Sequence, residues 1–477
     1  MYFKIKYPLF LFLGFLLTAP VQADLGEAWR LLRASRGSTA TYPQIVRHLV
    51  DNKLYFASIP YIKEYLTTST GATDASIDAI IDEVVSQVGV KQFEVLPNRF
   101  LARSRAPMLQ YILAKKFFRA GNYDEALKSL NATIPRNHPA KPYALLLEGS
   151  IHSITMKFDS AVRAYQECVS LSDSQISRAR DANRKRQITT NRDYCTVGIA
   201  RAQFAASDYE KANLSFLDLD KSSYVWPEIL FEEAWNSFYL RDYNRTLGKL
   251  VTYKAPVLDF IFNPEINVLE ALSYMEMCLW DDTGKVVDQF YGQWEKEHEA
   301  LKQFLVTQGK NYRYFYLLAK SRKEGRVRGN DLINTLLYAI VRDPAYIELY
   351  DSFQMGRDEI EIANRVNIPN FKRILNANIR ESLLLQRDLV GAYVRKQLDL
   401  FSSQMAQTFV DMSYIKLEVL DRRKATLYSP ELNMNRGRGD VQNLKRTDKQ
   451  YFWTFNGEFW ADELGDYVFS LKSECEK

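Results

Sequence analysis

Between residues 107 and 256 one arrangement of apolar and polar positions recurs four times. NYDEAL (122–127), KFDSAV (157–162), DYEKAN (208–213) and DYNRTL (242–247) each run from a polar turn through an aromatic and two polar residues to a small residue. The small residues are Ala126, Ala161, Ala212 and Thr246, at spacings of 35, 51 and 34. The middle spacing is one period plus an insert of about 17 residues. A second small residue leads each by 12: Ala114, Gly149, Ala200 and Ala234. Bulky Leu130, Tyr165, Phe216 and Leu250 trail by four, on the same helix face as the small residue. The pattern predicts helix–turn–helix units. The small pair lets the two helices approach closely, and Tyr123, Phe158, Tyr209 and Tyr243 plug the turn. One such hairpin cannot bury its own apolar face, so successive hairpins must stack into an all-α solenoid.

This pattern resembles the tetratricopeptide repeat family. The segment YILAKKFFRAGNYDEALKSL (111–130), followed by Pro139 at the family's turn proline, carries the resemblance most closely. A degenerate fifth unit is expected around Ala271 (LEALSYMEMCLW, 269–280), and a half-unit at LYFASIPYIKEYL (54–66). The array is therefore placed at 107–306, after an N-terminal helical region at 24–106. The resemblance implies a concave groove lined by the first helix of each unit. Its candidate residues are Gln110, Lys115, Phe118, Tyr143, His152, Arg201, Glu233, Asn236 and Ser237.

The C-terminal half continues as helices over 307–373, broken at Gly309, Gly325 and Gly329, with turns at Pro344 and Pro369. From 374 to 428 apolar residues recur every three or four positions: Leu383, Val390, Val394, Leu398, Phe401, Met405, Phe409, Met412, Ile415 and Val419. Such a stripe predicts one long amphipathic helix that lies along the solenoid or pairs with a coiled-coil partner. Residues 429–477 read as a polar loop, containing the adhesion-type tripeptide Arg438-Gly439-Asp440, and then a tail dense in aromatics. That tail includes Trp453, Phe455, Phe459, Trp460 and Tyr467, and it is expected to dock back onto the body. The tail and the 380–400 helix are similar to periplasmic tetratricopeptide proteins of deltaproteobacteria and their predatory relatives, some of them gliding-motility or envelope-complex components. That likeness implies a scaffolding role.

At the N-terminus, Lys4 and Lys6 precede a 12-residue apolar run, Pro8 to Ala19, and the small-x-small site Val21-Gln22-Ala23. This reads as a signal peptide over 1–23, removal of which would leave a net charge of +3 from the +5 of the whole chain. No later run is long and apolar enough to span a bilayer. Export permits disulfides among Cys168, Cys195, Cys278 and Cys475. Cys168 with Cys195 and Cys278 with Cys475 is the preferred pairing, and sequence alone does not choose among the three.

Composition changes the picture little. Gly (20) and Pro (15) are sparse, and 25% of residues are charged, as in an ordinary folded helical protein. The insert at 172–192 carries Arg178, Arg180, Arg184, Lys185, Arg186 and Arg192 without interleaved aromatics, so it reads as a solvated helix or a docking surface for an acidic partner or an anionic membrane rather than a nucleic-acid site. The four histidines, His48, His138, His152 and His298, have no metal-ligand spacing. Acidic pairs such as Glu232-Glu233 and Asp281-Asp282 read as helix surface. No catalytic residue, metal or cofactor is expected. The sequence reads as a periplasmic scaffold binding other envelope proteins or peptides, ahead of an assembly factor for outer-membrane proteins or an exported cell-wall enzyme.

Overall fold

The computed structural model describes residues 22–326, 331–428, 444 and 450–475, and among these there is no strand. The N-terminal helices are α1 (Gln22–Ser35), α2 (Tyr42–Asp51), α3 (Tyr55–Thr68), α4 (Ala75–Val88), α5 (Lys91–Glu94) and α6 (Asn98–Leu101). Hairpins follow: α7 (Pro107–Arg119) with α8 (Tyr123–Thr133), α9 (Lys141–Ile154) with α10 (Phe158–Arg178), α11 (Ala182–Ala205) with α12 (Tyr209–Phe216), and α13 (Trp226–Tyr239) with α14 (Tyr243–Val251). Then come α15 (Glu265–Glu276), α16 (Trp280–Gln308), α17 (Tyr312–Lys323), α18 (Asp331–Arg342), α19 (Pro344–Asn364) and α20 (Pro369–Tyr428). All but the last two residues of the expected signal peptide, Gly329 and most of the polar loop at 427–450 lie outside the described residues.

One turn builds the hairpins. The residue two before the plugging aromatic has a left-handed backbone at Gly121, Met156, Ser207 and Arg241, and again at Lys53 and Cys278. At each, the next N–H reaches the carbonyl five residues back: Leu54 to Leu49, Asn122 to Phe117, Lys157 to His152, Asp208 to Gln203, Asp242 to Ser237 and Leu279 to Tyr274. This is a Schellman cap, which satisfies the last carbonyls of the first helix and reverses the chain. Five of the six use a side-chain-bearing residue where glycine is free of strain, each at a cost of roughly 1–2 kcal/mol. The pairing of the two helices holds the turn regardless. The same cap at Lys53 and Cys278 joins α2 to α3 and α15 to α16, so the hairpin plan runs beyond residues 107–256 at both ends.

The small residues sit at the closest helix contacts. Ala114, Ala126, Ala161, Ala200, Ala212, Ala234 and Thr246 are all fully buried. Tyr165 fills the gap between Gly149 and Gly198, where a Cβ on either glycine would collide with its ring. The insert at 172–192 lengthens α10 and α11 by about two turns each. The Asp181 side chain caps α11 by accepting from the Arg184 N–H at 2.7 Å. Cys168 and Cys195 then tie α10 to α11.

The long helix begins earlier than its stripe predicts, because Pro369 occupies the first turn, where its fixed φ and missing N–H suit a helix start rather than a break. Its 60 residues span about 90 Å. One apolar stripe serves three cores. Phe371, Leu375, Ile379 and Leu383 join α1–α7 and the end of α19. Val390, Val394, Leu398 and Met405 join α16–α19, and Met412, Ile415 and Val419 join α15 and α16. The stripe is thus covered within the chain, with no need of a coiled-coil partner. Gly391 marks the crossing with α17, where a Cβ would overlap the Tyr312 carbonyl. The hairpins form an arc, and α20 with α17–α19 forms a strut that joins its ends. At the N-terminal junction the Glu359 carboxylate accepts from the Phe56 and Ala57 N–H groups at 2.8 and 2.7 Å, capping α3 from 300 residues away. Burial pushes this carboxyl up to about 7, against the pull of those donors.

The tail docks only in part. Asn244 bonds both backbone groups of Leu471 and accepts at its own carbonyl from the Phe469 N–H. Glu474 N–H reaches the Met277 carbonyl, and Cys475 is bonded to Cys278. Leu464 is buried against α11–α13, whereas Tyr451 and Trp453 stay 80% and 72% exposed, so the aromatics before residue 459 do not all return to the body as expected. A disulfide closing a separation of 197 residues removes unfolded-state entropy worth up to ~5 kcal/mol. The Tyr467 carbonyl lies where a Cβ on residue 248 would sit. Gly248→Ala is therefore expected to lever residues 464–471 off α14. Limited proteolysis should then cut within 460–472 at least tenfold faster, with helix content by circular dichroism unchanged.

Candidate functional site on the inner face of the arc

The first helices of the hairpins, α7, α9, α11 and α13, turn one side toward the strut. Tyr111, Tyr143 and Tyr194 lie on that side, each half-buried. Burial raises all three phenols well above the ordinary tyrosine value, and carboxylates on α19 reinforce the shift. Glu348 acts on Tyr111 and Tyr143, and Asp343 on Tyr194. Asp343 also acts on Tyr224, before α13, and on Tyr393 of α20. Side chains of the arc thus lie within electrostatic reach of carboxylates on the strut. Among the described residues, α18–α20 make no extensive backbone packing on α7–α13 there. Among the described residues one ion pair joins arc and strut here, Arg186 to Asp351 at 3.3 Å. Further along, Phe262 meets Phe401 edge-on at 5.4 Å and Arg342 stacks on Phe260 at 4.7 Å, which closes the far end.

The result is a channel walled by tyrosines and charged groups. Among the described residues, two of the cavities lie in the arc. One, of about 420 Å³, lies between α11, α12 and α13 and is lined by Arg201, Phe204, Phe216, Glu232, Trp235 and Tyr239. Its wall is aromatic: Tyr209 and Tyr239 stack at 5.1 Å, and Phe204 meets both at 5.4 Å. The Arg201 guanidinium is fixed by Glu232 and by Glu228 at 2.8 Å. The other cavity, of about 480 Å³, is polar and runs from Lys185 and Arg186 on α11 to Ser223 and Tyr224. Preformed clefts with an aromatic wall and a few oriented polar groups suit peptide side chains.

The structure sorts the groove candidates. Lys115, Phe118, Tyr143 and Arg201 are partly exposed, and Lys115, Tyr143 and Arg201 line the channel, with Lys115 5.5 Å above Tyr111 and Arg184 5.6 Å above Tyr143. His152 is half-buried beside Glu148, 3.9 Å away on its own helix. Gln110, Glu233, Asn236 and Ser237 do not line a groove. Gln110 donates to the Ser104 carbonyl at 2.5 Å, Asn236 to the Tyr209 carbonyl at 3.0 Å and Ser237 to the Glu233 carbonyl at 3.0 Å. Glu233 is buried in a 2.5 Å pair with Lys249 of α14. These polar side chains bond to backbone carbonyls or, for Glu233, to Lys249 inside the packing, so polarity on the first helices does not mark their open side. Sequence reasoning missed Tyr111, Tyr194, Glu228, Glu348 and Asp343. Tyr143 and Tyr194 are 51 residues apart, like Gly149 and Ala200, so a channel tyrosine in repeat register was there to be read. Glu348 and Asp343 left no such signal, since they depend on where the strut lands.

No protein-family model matches the chain, and no curated protein matches it. Among solved structures it is similar to a Rap protein complexed with Competence and Sporulation Factor, at 14% identity over 77% of this chain and 100% of that one, with a TM-score of 0.31. That likeness is too loose to carry an argument about shape or role.

Removing one partner of a buried ion pair leaves an uncompensated charge and costs about 3–5 kcal/mol. Lys249→Met is expected to destabilise by that amount in urea unfolding, and adding Glu233→Gln should recover most of it, because the pair holds α13 to α14 and does not face the channel.

Proposed function

We propose that this protein is a binding scaffold that takes a segment of a partner protein into the channel between the arc and the strut. The observation that carries the reading is the row of half-buried tyrosines, Tyr111, Tyr143 and Tyr194, on successive first helices facing α19 across a gap that backbone packing leaves unfilled. Tyrosine offers large contact area at low conformational cost together with a hydroxyl for backbone groups, so a ladder of them suits an extended or helical segment of varied sequence. The aromatic cavity beside Trp235 and Tyr239 supplies an anchor pocket for one apolar side chain of that segment. Rigidity favours the same reading, since both ends of the arc are tied to the strut and little ordering remains to oppose binding.

The setting we propose is the periplasm, within an assembly of cell-envelope proteins, motility machinery included. The leader expected at residues 1–23 supports export, and two disulfides suit an oxidising compartment. Among the described residues no helix is long and apolar enough to cross a membrane. The role we propose for the channel is binding rather than catalysis.

The test is photocrosslinking in cells with benzoylphenylalanine in place of Tyr143, inside the channel, or of Tyr414, on the outer side of α20. A partner adduct is expected at 143 and none at 414. Tyr111→Ala with Tyr194→Ala should remove about 2 kcal/mol per ring and weaken capture at 143 by at least tenfold. Adducts at 414 alone, or capture at 143 indifferent to the two tyrosines, would contradict the reading.

A further inference from the structure

The charges along the channel are not evenly spread. At the end formed by α5, α7 and the start of α11, cations outnumber carboxylates. Lys91, Lys115 and Arg119 share the single carboxylate of Glu94, at 2.7, 3.4 and 2.9 Å. Although burial pushes Glu94 up, these three pull its carboxyl down to about 2, so it stays ionised and the group keeps two uncompensated positive charges. Arg184, in the first turn of α11, stacks on Tyr143 and donates to the Pro139 carbonyl at 3.0 Å, with no carboxylate partner among the described residues. Lys185, in the next position, lines the polar cavity and likewise has no ion-pair partner among the described residues.

Across the gap, Glu348 feels Lys115, Lys91 and Arg184, yet none of them meets it in an ion pair among the described residues. These cations therefore lie within electrostatic reach of Glu348 without closing on it as ion pairs. The other end of the channel differs. There Arg201 is fully committed to Glu232 and Glu228, and Asp343 adds a third carboxylate.

We propose that the segment taken by the channel is acidic, and that it lies with its carboxylates against Arg184, Lys185 and the Lys91–Lys115–Arg119 group. Its apolar side chains then lie toward the aromatic cavity of Phe204, Trp235 and Tyr239. This rests on the channel reading above and adds both the chemistry of the partner and its direction. Complementary charge would raise the association rate and exclude basic partners more than it would raise affinity. Because the cations are only partly desolvated, the effect should fade with salt over the range in which the Debye length falls from about 10 to 3 Å.

The experiment is selection of a random 12-residue peptide library on the whole protein, with parallel selections on Tyr143→Ala and on Arg184→Glu with Lys185→Glu. The double reversal should still fold, since a glutamate three residues after the Asp181 cap suits a helix start. Peptides selected by the wild type are expected to carry clustered Asp and Glu at one end and an aromatic or Leu at the other. They should bind on the order of tenfold more weakly to the double reversal and more weakly at high salt. Selected peptides that need Tyr143 but show no acidic bias would overturn the inference and leave the channel reading intact. Peptides indifferent to Tyr143 would overturn the channel reading itself. Binding of phosphatidylglycerol vesicles that the double reversal abolishes would assign these cations to a membrane and overturn the inference.

Discussion

A helix of 60 residues with an apolar stripe on one side must cover that stripe, and here no single neighbour is long enough to do so. The stripe of α20 is covered in three stretches, by the N-terminal helices, by α16–α19 and by α15 with α16. An open solenoid keeps its ends far apart and its curvature soft, because each unit touches only its neighbours. This chain removes that freedom. Burying one stripe against both ends of the arc fixes the distance between them, and with it the width of the channel.

Polar contacts then set the register that apolar packing leaves loose. Glu359 caps α3 from α19, Ser352 donates to the Val88 carbonyl at 2.6 Å, and Gln92 donates to Ser382 and Gln386 on α20, each at 3.0 Å. All are buried, and each would leave a costly unsatisfied group if the strut slid by one turn. The disulfides act at other seams. Cys168–Cys195 holds the lengthened α10 and α11 together beneath the basic turn, and Cys278–Cys475 pins the tail to the last hairpin turn. The interior that results is held by its surroundings rather than by contacts across it, the condition a binding channel requires.

How much of this was legible in the sequence depends on the range of the forces involved. Hairpins were legible because close helix approach demands small residues at fixed spacing, and Ala114, Ala126, Ala200 and Ala212 show that spacing without any knowledge of the rest of the chain. The left-handed turn was not, since only Gly121 among its six instances carries the residue that announces it; Lys53, Met156, Ser207, Arg241 and Cys278 are held in that backbone by the packing on either side. The stripe of α20 announced a long helix but not what would cover it. The site suffered most. The rule that picked out Lys115, Tyr143 and Arg201 as polar or aromatic residues on first helices also brought in Gln110, Glu233, Asn236 and Ser237, which bond to backbone carbonyls or, for Glu233, to Lys249. Glu348 and Asp343 belong to the opposite wall, and only the closure of the arc brings them to the site.

The arc and the strut face each other at a fixed, short separation. Spin labels at positions 186 and 351, which form an ion pair between arc and strut, measure it directly by double electron–electron resonance. A single narrow distribution at the short end of the measurable range is the result this structure predicts. A broad or long distribution in the free protein would mean that the strut does not close the arc, and the channel would go with it.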